Sequence, residues 1–195
     1  AAGSMYDVVR IDHFIGIVRY YAIPAEGVPV DGAFRKGPGE KLIKAIDEAI
    51  GDAKVIAEDL GVVVPGVRQL LKQSGYPGMK ILEFAFDGKR NNEYLPHNYE
   101  RNCVVYSGTH DNETLLGYFD SLPEEGYEYL LDYTGLCISD KICSEFKEKL
   151  ANAVIRLAYQ SVADTVILQM QDILKKDNDA RMNLPSTIGQ NWRWR

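Results

Sequence analysis

The stretch Tyr6-Asp7-Val8-Val9-Arg10-Ile11-Asp12-His13-Phe14 decides the fold. Its apolar run is rich in β-branched residues and ends in charge, the pattern of a buried strand that delivers polar side chains to a rim. Two later segments repeat the design: Val55-Ile56-Ala57-Glu58-Asp59 and Val104-Val105-Tyr106-Ser107-Gly108-Thr109-His110-Asp111. Three predicted buried strands therefore each carry a carboxylate at the carboxyl end: Asp12, Glu58 and Asp111.

Helical patterns separate these strands. Leu42, Ile43, Ile46, Ala49 and Ile50 predict a helix over 40–50 that ends at Gly51, and Pro65 and Gly75 bracket a second. Further strands are predicted over 79–86 and 165–170, with a Gly- and Pro-punctuated loop through 23–39 and a polar loop through 87–102. Helices follow from 112 or 113 to 122 and over 124–133. A longer one, of about twenty residues, is capped by Ser139 and carries Ile142, Phe146, Leu150, Val154, Leu157 and Ala158 on one face. The tail from Arg181 reads as irregular.

Alternation of strand and helix implies an α/β fold, a parallel sheet wrapped by helices. Polar residues at strand carboxyl ends suit a (β/α) barrel, whose chemistry sits on the face built by its βα loops. The competitor is an open doubly wound sheet, which usually has a glycine-rich phosphate loop after its first strand; no such loop follows Asp12. Five strands are too few for an eight-stranded barrel, so the chain is either an open sheet or the later part of a barrel. Residues 6–195 read as one domain. Ala1 to Met5 look like an expression scar, and the abrupt start inside a strand suggests a chain cut from something longer.

The formal charge of −6 argues against a nucleic-acid partner, which needs a basic footprint, and fits a neutral substrate. Cys103, Cys137 and Cys143 form an odd, sparse set without a CxxC pair, the usage of reduced, buried packing thiols in a cytoplasmic protein. No apolar stretch approaches the roughly eighteen residues of a membrane span, and no signal-peptide pattern is present.

Neighbouring parallel strands lie just under about 5 Å apart, so carboxylates on nearby strand ends can face one substrate-sized gap. Two carboxylates on opposite sides of an acetal carbon suffice for glycoside chemistry, and a third can stabilise an oxocarbenium-like sugar. Arg10 lies on the same side of its strand as Asp12 and is expected to hold it ionised. Glu58 is expected to be partly buried, which raises its pKa so that it can donate a proton. Each acid alone has a plainer reading, as a helix cap or a solvated charge. His13 and His110 beside aspartates also allow a His/Asp metal centre, although His97 lies in a loop without ligand spacing. Tyr20, Tyr21, Phe34, Tyr94 and Tyr99 are either packing residues or sugar-stacking faces, and Trp192 and Trp194 are expected to pack against the barrel or a missing segment.

Arg-Ile-Asp-His-Phe at 10–14, Ala-Glu-Asp-Leu-Gly at 57–61, Tyr-Leu-Pro-His-Asn-Tyr at 94–99 and Gly-Thr-His-Asp-Asn at 108–112 resemble the 4-alpha-glucanotransferases, also called amylomaltases or disproportionating enzymes. Gly37-Pro38-Gly39, Arg181-Met182-Asn183-Leu184-Pro185 and Asn191-Trp192-Arg193-Trp194-Arg195 look like further signatures of that family. The resemblance implies strands four to eight of a (β/α)8 TIM barrel and a retaining transglycosylase of starch, glycogen or maltodextrin metabolism. It moves α-1,4-glucan segments to the 4-hydroxyl of an acceptor glucan through a glycosyl-enzyme.

By motif position, Asp12 would be the nucleophile, Glu58 the acid/base, and Asp111 a binder of sugar hydroxyls. Arg10, His110, His13 and Asn112 would contact substrate. No metal or organic cofactor is implied, and the partners would be α-1,4-glucans and malto-oligosaccharides. The resemblance also implies that the first three strands and a last helix are absent, and Ser186 stands where the family pattern leads one to expect glycine or another very small residue. An α-amylase-like hydrolase, a non-catalytic carbohydrate-related module and a metal hydrolase remain the alternatives. The chain alone is expected to be poorly active, with open edge strands that favour self-association.

Overall fold

The structure, a computed structural model, describes residues 2–61, 64–137 and 143–195. The chain divides into two compact units, Ala1–Met79 and Lys80–Arg195. In the first, the order is β1 (Val8–Ile11), α1 (Ile15–Val18), β2 (Arg19–Ala22), β3 (Ala33–Lys36), α2 (Glu40–Ile50), β4 (Lys54–Ala57) and α3 (Pro65–Ser74). The boundary falls inside β5 (Gly78–Ile81). The second unit continues with β6 (Cys103–Tyr106), α4 (Leu115–Ser121), α5 (Glu124–Thr134), α6 (Ser144–Gln160), β7 (Thr165–Ile167) and α7 (Met170–Ile173).

In the first unit β1 pairs in parallel with β4, Ile11 opposite Ala57. Phe14, Ile17, Ile43, Val55, Ala57, Val67, Leu70 and Tyr76 close around this pair as one apolar cluster. Val55 to Ala57 are buried, as a strand beneath helices should be. β1 is not: its residues alternate between exposed and half-buried, and Val8 is 46% exposed. The expectation of a buried strand is corrected here. β4 is the one strand that pairs with β1 among the described residues, so a side of its ladder and part of its face stay open.

The predicted loop 23–39 is also corrected. Its two flanks form an antiparallel hairpin in which Tyr21 pairs with Phe34 and Tyr20 with Arg35. Tyr21 and Phe34 meet edge to face, 5.1 Å between centroids, and the Arg19 guanidinium lies 4.4 Å from the Phe34 ring centre. Aromatic cross-strand pairs of this kind stabilise a ladder despite the surrounding glycines. The loop returns at Gly37-Pro38-Gly39, where the Gly37 N–H donates to Val18 O (2.8 Å) and the Gly39 N–H to Ile17 O (2.9 Å). A Cβ on Gly37 would lie 2.2 Å from the Ile17 carbonyl oxygen, so this close backbone passage requires glycine.

The second unit holds a three-stranded sheet in the order β5-β6-β7, with β6 and β7 parallel. All four residues of β6 are buried, as read from the sequence. Its core joins Leu82, Phe86, Leu95, Val105, Leu115, Leu130, Leu150 and Val154. The predicted strand 79–86 ends early: after Ile81 the chain enters a 3-10 turn over Leu82–Phe84 that buries Leu82 and Glu83. The strand predicted over 165–170 likewise stops at Ile167, because Gln169 already caps α7. Ser139 and Ile142 lie outside the described residues. The long helix is seen from Ser144, with Leu150, Val154 and Ala158 buried as expected.

Of the three cysteines, Cys103 is buried, whereas Cys137 and Cys143 are exposed, which corrects their reading as packing residues. Tyr99 is buried, its hydroxyl donating to Tyr94 O, so it offers no free stacking face. Among the described residues no helix is long and apolar enough to cross a membrane.

Candidate active site

The first cluster forms where β1 and β4 end. The Glu58 N–H donates to Ile11 O (2.9 Å), which extends the parallel register one step and sets Asp12 and Glu58 on neighbouring strand ends. The Arg10 Nη2 donates to Asp12 Oδ1 at 2.8 Å, and its Nη1 rests 3.8 Å from the Met79 sulfur. The Asp12 side chain is 76% exposed, so this pair adds little stability, about 0–1 kcal/mol; its effect is to aim the carboxylate.

Glu58 is half-buried and its carboxylate is held from two directions. Oε2 accepts the His13 N–H at 2.6 Å and Oε1 accepts the Leu60 N–H at 3.0 Å. The first bond exists because His13 adopts φ +50, a left-handed conformation that a non-glycine residue takes at a cost of roughly 1–2 kcal/mol. The next peptide then donates from Phe14 N to Glu58 O (2.9 Å). Each carboxylate oxygen keeps a second lone pair for a ligand. Asp59, the neighbour of Glu58, accepts the Met79 N–H at 2.7 Å and so faces its own scaffold.

The second cluster lies beyond the end of β6. His110 Nε2 is 3.4 Å from Asp111 Oδ2, and the His110 ring packs 5.0 Å from that of Trp192. Asn112 turns inward: its side-chain oxygen accepts both the Thr109 N–H (2.9 Å) and the Thr109 hydroxyl (2.8 Å). The Thr109 hydroxyl in turn accepts the Asp111 N–H at 3.3 Å.

The tail closes over this turn. Asn183 Nδ2 donates to Asp111 Oδ1 and Arg181 Nη2 to Asp111 O, both at 2.6 Å, while the Asn183 N–H donates to His110 O at 3.0 Å. Sequence reasoning singled out residues 181–185 as a signature without giving Arg181 or Asn183 a role. The signal was a polar motif embedded in an otherwise structureless tail. The same tail turns at Ser186, which sits at φ +64. We expect Ser186→Gly to raise stability by about 0.5–1 kcal/mol, read as a higher urea midpoint at unchanged slope.

A buried polar layer supports the second cluster. Asp172 accepts the Ser107 hydroxyl (2.5 Å) and the Leu115 N–H (2.8 Å), tying the end of β6 to the start of α4. Burial pushes the Asp172 carboxyl above the usual range. His97 is structural: its Nε2–H donates to Arg90 O (3.0 Å), which leaves Nδ1 to accept the Tyr133 hydroxyl (2.9 Å). Among the described residues, no three His, Cys, Asp or Glu side chains converge as a metal site.

Both clusters bring carboxylates to strand ends with an arginine or histidine beside them, a chemistry suited to charge development at an acetal carbon. A family profile described as 4-alpha-glucanotransferase matches residues 1–195. The chain is 45% identical to the chloroplastic/amyloplastic 4-alpha-glucanotransferase of Arabidopsis thaliana over 195 residues, 100% of this chain and 32% of that protein. It is 45% identical to the 4-alpha-glucanotransferase of Clostridium butyricum over 194 residues, 98% of this chain and 38% of the relative. The chain thus spans roughly a third of the length of these curated relatives. Among solved structures, an amylomaltase from Streptococcus agalactiae in complex with acarbose superimposes with a TM-score of 0.87 at 40% identity, over 98% of this chain and 38% of that one. The fold is mixed α/β with parallel sheets, part of a TIM barrel, in agreement with the sequence reading.

Proposed function

Since this chain belongs to the 4-alpha-glucanotransferase family, we propose that the full-length protein is a retaining transglycosylase acting on α-1,4-glucans and malto-oligosaccharides. The observation that carries this reading is the β1–β4 register, which sets an arginine-aimed Asp12 beside a Glu58 whose two oxygens are both held by backbone N–H groups. In the first step the Asp12 carboxylate attacks the anomeric carbon. The glycosidic C–O bond breaks, and Glu58 gives its proton to the departing 4-oxygen. In the second step Glu58 takes the proton from the 4-hydroxyl of an acceptor glucan, which attacks the same carbon and frees Asp12 as a carboxylate. Asp111 and His110 bind donor-sugar hydroxyls and Arg10 and His13 complete the contacts, whereas Asn112, expected from its motif to touch substrate, turns its side chain inward and shapes the turn instead.

Incubation of the full-length protein with maltotriose tests this. Transfer gives glucose plus oligomers longer than the substrate, whereas glucose and maltose alone would replace transfer with hydrolysis. In a ligand-bound crystal structure the Asp12 and Glu58 carboxyls are expected about 5–5.5 Å apart; a gap of roughly 6.5–9.5 Å would indicate an inverting enzyme.

The 195-residue chain by itself carries the three acids on about a third of its relatives' length, so its own turnover is proposed to be low. The open side of β1 supports self-association of the chain in isolation. A cytoplasmic, reducing location is proposed from three free cysteines, two of them exposed.

A further inference from the structure

We propose that Glu83 is a positioning residue: from beneath Gly108 it holds the Asn112 side chain, and through Asn112 and Thr109 it fixes the turn that presents Asp111. The inference rests on the reading that Asp111 contacts the donor sugar.

Glu83 sits in the turn after β5, 8% exposed, with its N–H donating to Ser107 O at 3.2 Å. Its Oε1 is buried without a hydrogen-bond partner among the described residues. A Cβ built on Gly108 would lie 2.5 Å from that oxygen, 2.8 Å from Gln169 Nε2 and 3.0 Å from Asn112 Cβ. Three side chains therefore crowd one face of Gly108, and any residue larger than glycine would evict them. Gln169 is committed elsewhere, its Nε2 donating to Glu113 O at 3.0 Å. The Asn112 oxygen is occupied by Thr109, so its amide N–H groups are the donors left beside Glu83 at Gly108, and in this structure Oε1 itself accepts no hydrogen bond from them.

A buried polar atom without a partner costs about 1–3 kcal/mol. A purely structural site would lose it to an apolar residue of the same shape, so a carboxyl at this depth calls for a use. Burial pushes the Glu83 carboxyl well above the usual range, and the negative charges of Asp172 on α7 and Glu113 before α4 add to the effect. The Asn112 amide and Arg181 from the tail oppose it. The Tyr118 phenol on α4 also faces the group and is itself raised, by burial first and by Glu83 next. Glu83 thus holds its proton far more readily than an exposed glutamate. Because its folded pKa is raised, its stabilising contribution is complete below about pH 4 and is lost as pH rises through the folded value.

The test is amide hydrogen exchange of this chain without ligand, read at Thr109 and Asp111, whose N–H groups close the turn. Two near-isosteric variants are compared, since truncation to alanine could simply unfold the unit. Glu83→Gln keeps an acceptor and donors for Asn112 and is expected to retain wild-type protection, without the loss that the wild type shows as pH rises. Glu83→Met keeps the volume and the fold but frees Asn112. It is expected to speed exchange at both amides by about fivefold to tenfold at unchanged global stability. Wild-type protection in the Met variant, or identical pH dependence in the wild type and the Gln variant, overturns the proposal. Failure of the maltotriose assay would remove the glucan reading and leave this result standing.

Discussion

Asp12→Asn is expected to abolish glucan transfer by the full-length protein, lowering kcat by about 10⁴-fold or more. In a covalent mechanism the nucleophile cannot be bypassed, and removing one elsewhere costs as much as dismantling the whole catalytic unit. Glu58→Gln should be milder, on the order of 10²–10⁴-fold, because proton transfer is lost while the nucleophile stays; its amide has a single acceptor oxygen, so only one of the His13 and Leu60 N–H groups keeps its bond. The contrast separates chemistry from folding. The Arg10–Asp12 pair is exposed, so Asp12→Asn should shift the urea midpoint by less than about 1 kcal/mol in equivalent stability. A transfer rate within tenfold of wild type, measured by chromatography of maltotriose products, would remove Asp12 from the nucleophile's role.

Gly37→Ala is expected to destabilise the first unit by about 3 kcal/mol or more. The new methyl would lie 2.2 Å from Ile17 O and 2.6 Å from the Ile17 carbonyl carbon, and both obstacles are backbone. No rotamer change relieves such an overlap. The strand must withdraw, and with it go the Gly37 bond to Val18 O and the Gly39 bond to Ile17 O that begin α2 in its place. Urea unfolding followed by tyrosine fluorescence reads the effect. An unchanged midpoint would mean that the loop passes elsewhere in solution.

What could be read from the sequence was whatever depends on periodicity and on charge at strand ends. β4, β6, α2 and α3 appeared close to their predicted bounds because local propensity and burial agree there. The hairpin β2–β3 was hidden because glycines and prolines dominate its turn, while its aromatic pairing only exists across fourteen residues of chain. The early ends of β5 and β7 were hidden for another reason: apolar residues in a buried 3-10 turn or a helical cap look the same as strand residues until their neighbours are known. Asp12, Glu58 and Asp111 were legible as carboxylates after apolar runs. Arg181 and Asn183 were not, since they reach Asp111 from about seventy residues away. Glu83 could not be foreseen either, because its isolation is a property of packing.

The contact between the His13 main chain and Glu58 separates two kinds of inheritance. Its donor is a peptide N–H, so only proline, which lacks that hydrogen, deletes it, and a β-branched side chain disturbs it by resisting the left-handed turn. The imidazole can therefore be exchanged while the acid beside it keeps its aim.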